Sequence, residues 1–236
     1  MYEILYALAA ALAALIASAI PLRFNIAAKN LTYLLAVSAG ILISIAFVDV
    51  LPEAFALSGY AGLGLLAGFL IIYLTEQFVI AEPSIEADCK IHKVSMTAFI
   101  GLLFHSFIDG IAISAGFGVS AALGTIITFA VLIHAIPDGI SASSLLLASK
   151  YSGSKKKIFS LASLIALAKP FGAITMLFLS GIIDKSFLSI MLGVSAGSFI
   201  YISAAGLLPH IHKEKDLKIF LAFLLGVSLV LLSSFV

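Results

Sequence analysis

Long apolar stretches alternate with short polar ones eight times along the chain. The stretches cover residues 3–20, 31–51, 59–80, 95–117, 120–148, 157–180, 186–208 and 217–236. Each is close to the roughly 17 to 25 residues that a helix needs to cross the hydrocarbon of a bilayer. The pattern predicts an all-α integral membrane protein with eight transmembrane helices in a single polytopic domain over residues 1–236. The first stretch carries Ala17-Ser18-Ala19, which resembles a signal-peptide cleavage site. Glu3 stands where a cleaved signal would carry Lys or Arg, so this stretch is read as a retained helix.

The polar segments give the helices a sidedness. Arg23, Lys29, Lys90, Lys93, Lys150, Lys155, Lys156, Lys157, Lys213, Lys215 and Lys218 fall after helices one, three, five and seven. Only Lys185 falls on the opposite face, and Lys169 lies within a span. Basic residues concentrate on the cytoplasmic side, so a cell-membrane protein with both termini outside the cytoplasm is expected. Composition agrees with the membrane reading. At 62% hydrophobic and 11% charged, the chain is far more apolar than a soluble domain, which is about 45 to 50% apolar and about 25% charged. A net charge of +1 argues against a nucleic-acid partner, which would demand a basic face. Cys89 is the single cysteine, which rules out an intrachain disulfide and leaves a structural zinc site unsupported.

A repeat appears when the helices are compared. Val37-Ser38-Ala39-Gly40, leading to Leu51-Pro52-Glu53, recurs as Val194-Ser195-Ala196-Gly197, leading to Leu208-Pro209-His210. Helices two and seven run in opposite directions, so the repeat is inverted. Secondary transporters are built from such repeats, with the substrate near the midplane.

The chemistry lies in helices four and five. His105-Ser106-Phe107-Ile108-Asp109-Gly110 and His134-Ala135-Ile136-Pro137-Asp138-Gly139 each set a His and an Asp four residues apart, on one helical face. At 1.5 Å per residue, His105 and Asp109 lie about 15 and 21 Å from the inner end of their helix, within the hydrocarbon layer. An ionisable residue there costs at least about 2.5 to 3.5 kcal/mol, which a shared divalent cation or a wet cavity offsets. Pro137 frees the carbonyl of Ile133 beside these side chains. Two neutral imidazoles and two carboxylates around a divalent ion form a neutral cluster. Mixed N and O donors suit zinc, iron(II), manganese or cadmium better than calcium or magnesium.

Other polar residues fall into place around this centre. Asp49 and Glu53 at the outer end of helix two form a candidate entrance. Glu76, His210 and His212 form a candidate cytoplasmic exit, and Glu82, Glu86, Asp88, Cys89 and His92 lie in a loop predicted from Ala81 to Val94. Lys169, in the middle of helix six, is either neutral, paired with a carboxylate or in water, and Asp109 or Asp138 is the obvious partner.

Taken together, the motifs resemble the Zrt/Irt-like (ZIP) family of divalent-metal transporters over nearly the whole chain. Family members pair His-Asn-x-x-Asp/Glu-Gly in helix four with a His- and Pro-containing motif in helix five, and many carry Leu-Pro-Glu in helix two. The resemblance implies a ZIP-like bundle and transport of a metal, zinc foremost, toward the cytoplasm. It also implies a site of His105, Asp109, His134 and Asp138, and movement of helices one, four, five and six against two, three, seven and eight. The chain departs from the family at Ser106, which replaces the Asn, at Ala135, and at Lys169, which stands where several members place a second-site Glu. A single metal is therefore expected.

The expected partners are the metal ion and the lipid bilayer, with a homodimer allowed, and no cofactor beyond the cargo. An intramembrane zinc hydrolase is the enzymatic alternative, but the chain has no His-Glu-x-x-His sequence. A metal channel or sensor would share the same site.

Overall fold

The structure, a computed structural model, describes residues 2–23, 28–79, 87–148, 154–179, 184–212 and 216–234. Within the bilayer no water satisfies backbone groups, so these apolar stretches close their hydrogen bonds internally as helices. Helix α1 is Tyr2–Arg23. Helix α2 begins as Ala28–Ser44, widens into a π-helical segment Ile45–Val50 and continues as Leu51–Leu57. Helix α3 is Ala61–Leu74 with a π-helical end Thr75–Val79. Helices α4 (Ala87–Val119), α5 (Ala121–Leu147) and α6 (Lys155–Leu179) follow. Helix α7 is Lys185–Ile200, a π-helical Tyr201–Leu207 and a final turn Leu208–Ile211, and α8 is Leu217–Ser234. Among the described residues, seven helices are long and apolar enough to cross a membrane, and α8 contributes a shorter apolar stretch, Leu217–Leu232.

Two boundaries differ from the sequence reading. The predicted loop over Ala81 to Val94 is helical from Ala87 onward, so Asp88, Cys89 and His92 ride on a polar extension of α4. The stretch from Ala87 to Val94 contains no Pro or Gly to break a helix. Hydropathy marked only where the hydrocarbon begins. Glu82 and Glu86 lie outside the described residues. The second difference is the π-helical widening, which no apolar pattern announces.

On α1 small residues face inward and large ones outward. Helix α1 buries Ala7, Ala10, Ala11, Ala14 and Ala17 and exposes Leu5, Leu8, Leu12, Ile16 and Ile20, the arrangement of a helix that packs closely on one side and meets hydrocarbon on the other. The closest approaches occur at glycines. A Cβ on Gly40 would collide with the carbonyl of Phe223 on α8, and one on Gly197 with that of Leu65 on α3. One on Gly226 would collide with Val37 on α2, and one on Gly68 with Val194 on α7.

These contacts are copies of one another. Phe223 and Gly226 lie at one constant offset from Leu65 and Gly68, just as Val194 and Gly197 do from Val37 and Gly40. The π segments repeat as well. Leu51 N–H donates to Ala46 O, and Leu208 N–H donates to Ser203 O, each immediately before the proline of a Leu-Pro pair. The same operation relates the motif glycines, since a Cβ on Gly110 would strike the carbonyl of Lys169 on α6 and one on Gly139 that of Ala14 on α1. The inverted repeat is thus visible in the packing.

The tight contacts also divide the helices into two sets. Backbone meets backbone at glycine between α2 and α8, between α3 and α7, between α4 and α6, and between α1 and α5. Between the sets, Gly101 of α4 faces side-chain atoms, the end of Ile202 and Ser198, rather than backbone. Helices α1, α4, α5 and α6 form one block and α2, α3, α7 and α8 the other.

Candidate metal centre

Helices α4 and α5 bring the two His/Asp pairs face to face. One donor atom from each of His105, Asp109, His134 and Asp138 lies within 4.8 Å of all the others. His105 Nε2 is 3.5 Å from Asp109 Oδ1 and 3.8 Å from Asp138 Oδ2, and His134 Nε2 is 3.4 Å from Asp109 Oδ2. The imidazole rings sit 5.6 Å apart. Zinc bonds of about 2.0 to 2.1 Å place tetrahedral donors about 3.4 Å from one another. The cluster is therefore within small side-chain adjustments of a coordination sphere. Its electrostatics point the same way. His105 Nε2 and both carboxylate oxygens of Asp138 are buried without a hydrogen bond, a costly arrangement that a cation relieves.

The second nitrogen of His105 is held. Its Nδ1 lies 2.8 Å from Ser195 Oγ on α7, and the ring packs against Phe199 at 4.7 Å between centroids. A ligating histidine commonly uses its other nitrogen in this way, which fixes tautomer and orientation. With Nδ1–H donating to Ser195, Nε2 presents a lone pair to the cluster. Ser195 entered the sequence reading as part of a repeat and not as part of the site. A hydroxyl at midmembrane depth in an otherwise apolar run was the available signal.

Lys169 is fully buried, and it finds both expected partners. Its Nζ donates to Asp109 Oδ2 at 2.5 Å and to Ser106 Oγ at 3.3 Å, and it lies 3.5 Å from Asp138 Oδ2. This corrects the neutral cluster expected from the motifs alone. Two carboxylates, one ammonium and one divalent ion carry a formal charge of +1.

Above the cluster lies a cavity of about 400 Å³ lined by Asp49, Glu53, His105, Asp109, Ala130 and His134, among others. It leads toward the face that holds Ser58, Ser120 and Asp184, the lysine-poor side. The candidate entrance residues thus share one space with the site. Toward the lysine-rich face the chain is packed, with Leu22, Leu146 and Ile158 in one buried group and Ala98, Leu102 and Leu145 in another. Of the candidate exit residues, Glu76 is half-buried in the π-helical end of α3 and lies beside Tyr201. His212 is exposed at the end of α7, and the side chain of His210 lies outside the described residues. The cavity lining includes none of the three.

Residues 81–234 match the model of the family described as ZIP Zinc transporter. The chain belongs to the ZIP zinc transporter family. That family is one of transporters and not of enzymes, and the chain is a multi-pass membrane protein. This ZIP chain is 38% identical over 145 residues to protein zntA of Dictyostelium discoideum, covering 58% of the chain and 29% of that protein. It is 30% identical over 150 residues to zinc transporter zipt-7.2 of Caenorhabditis elegans, covering 59% of the chain and 32% of the relative. It is 28% identical over 217 residues to zinc transporter ZIP13 of Pongo abelii, covering 83% of the chain and 63% of the relative. The matches to the first two span about a third of those relatives' length.

Proposed function

We propose that this ZIP chain carries divalent transition-metal ions, zinc foremost, across the cell membrane toward the cytoplasm, one ion at a time. The observation that carries the reading is the convergence of His105, Asp109, His134 and Asp138 within 4.8 Å at the foot of a cavity, with three buried donor atoms lacking hydrogen bonds. These four side chains are the metal ligands. Lys169 and Ser106 occupy the place of a second metal site. Asp49 and Glu53 draw cations into the cavity, since paired carboxylates at a mouth raise the local cation concentration.

The positive-inside rule puts the cavity mouth and both termini outside the cytoplasm. The packed lysine-rich half then separates the ion from the cytoplasm, which favours a carrier over an open pore. Release passes Glu76, His210 and His212. The metal is cargo, and the chain needs no resident cofactor. Its other partner is the lipid bilayer, and a homodimer is compatible with the single polytopic domain.

Zinc uptake into proteoliposomes tests the reading. Wild-type uptake is expected to saturate with metal concentration, and His134→Ala or Asp138→Ala is expected to reduce it to background while the protein still purifies as a folded species. Wild-type rates in both variants would overturn the ligand assignment.

A further inference from the structure

We infer that Ser195 and Ser38 are a pair of alternating positioning residues, each orienting one ligand histidine in one of the two states of the carrier. The inference deepens the proposed transport function and rests on it. The argument begins with the inverted repeat. Ser195 on α7 and Ser38 on α2 occupy the same position in the two copies of Val-Ser-Ala-Gly. His105 on α4 and His134 on α5 are likewise counterparts, because the glycines five residues after each pack against the equivalent helices α6 and α1. Helix α7 packs on α4, and α2 packs on α5. Each serine therefore lies on a helix that packs against the one carrying its own histidine.

Only one of the two bonds is made here. Ser195 Oγ holds His105 Nδ1 at 2.8 Å, whereas Ser38 Oγ is fully buried with no hydrogen-bond partner. A buried hydroxyl left in this condition is costly. His134, meanwhile, leans into the cavity with its side chain 12% exposed. The serines sit in the block formed by α2, α3, α7 and α8, and the histidines in the other. When an inverted-repeat carrier exchanges the conformations of its halves, equivalent contacts exchange too. In the state open to the lysine-rich face, Ser38 holds His134 and Ser195 is released. Each state thereby fixes a different imidazole and frees the other.

The test reads the conformational equilibrium without metal. A reporter cysteine is placed in the cavity by Ala130→Cys in a Cys89→Ser background, and its reaction with a charged thiol reagent is followed in purified, metal-free protein. Ser195→Ala is expected to shift the equilibrium between the two states roughly fivefold away from the one open to the cavity, the equivalent of one ordinary hydrogen bond, and labelling slows with the fall in that state's population. Adding Ser38→Ala removes the compensating bond of the other state and is expected to restore the rate to within about twofold. An unchanged rate in Ser195→Ala, or no recovery in the double variant, overturns the exchange.

Should Ser195→Ala not purify as a folded protein, Ser38→Ala alone decides the matter. Its maximal zinc uptake is expected to fall about fivefold, with half-saturation little changed and Ser38→Thr restoring the rate, and wild-type uptake would overturn the pairing. If the parent moves no metal, the transport reading fails while the labelling result still stands.

Discussion

At the scale of single residues, the His-x-x-x-Asp spacing exposed the candidate ligands because only a helix brings positions four apart together, and the apolar surroundings made the helix certain. The role of Lys169 needed depth as well as spacing, and its contacts with both aspartates needed the folded chain. A fixed ammonium at 2.5 Å from Asp109 Oδ2 and 3.5 Å from Asp138 Oδ2 would, under the proposed assignment, take the place of a second cation beside the carboxylates. Attraction between unit charges near 4 Å is on the order of 4 kcal/mol at an effective dielectric of about 20, and the repulsion felt by a second cation there is comparable or larger. Anomalous scattering at the zinc edge is therefore expected to show one midmembrane metal in the wild type and a second, adjacent one in Lys169→Glu. Two strong neighbouring peaks in the wild type would refute this assignment. Removing the charge while keeping the bulk should act differently. Lys169→Met is expected to bind zinc at least tenfold more tightly by calorimetry, because the loaded cluster loses its excess positive charge, and to release it more slowly.

At the scale of elements, each of the eight apolar stretches coincides with a described helix, but the second helix runs on to Leu57 where the reading ended it at 51, and the fourth begins at Ala87 where the reading began it at 95. The start of α4 at Ala87 was hidden because hydropathy reports the bilayer boundary, and a helix continues past it wherever the polar residues do not break it. Two of the π-helical segments, those in α2 and α7, were hidden because hydropathy does not register a change of backbone hydrogen bonding ahead of a proline. Pro52 and Pro209 cannot donate the next hydrogen bond, and the preceding turn widens so that Leu51 and Leu208 donate to the fifth residue back. The glycines act at this scale as well. Gly110→Val would drive a Cβ into the backbone of α6 at Lys169, and backbone yields less readily than a side-chain tip. Overpacking of this kind costs about 1 to 3 kcal/mol. A lowered melting temperature of the purified protein and lost uptake are expected, because α4 and α6 together hold the carboxylates and the ammonium in register. Gly62→Ala, whose new Cβ meets nothing within 4 Å, is the control and should leave both measurements unchanged.

At the scale of the whole molecule, the repeat was legible as two short strings, yet its meaning emerged only from contacts that sequence does not display. The glycine pairs join α2 to α8 and α3 to α7 in one block, and α4 to α6 and α1 to α5 in the other. Each block is locked backbone to backbone at glycines, while the boundary is made of side chains, among them Ile202 and Ser198 against Gly101, Phe199 against His105 and the His105–Ser195 bond. Side chains can repack where backbones cannot, so this boundary is the plane on which the proposed alternating access would run. The direction of transport then depends on which face the cavity meets. Lys155, Lys156 and Lys157 at the start of α6 are exposed on the face opposite the cavity mouth, and Asp184 before α7 is exposed on the same face as the mouth. Single cysteines introduced at Lys156 and Asp184, in a Cys89→Ser background, separate the two orientations. In intact cells, Asp184→Cys is expected to react with an impermeant thiol reagent, and Lys156→Cys is expected to react only after the membrane is permeabilised. The opposite pattern would place the cavity mouth in the cytoplasm and turn the same site into the loading station of an exporter.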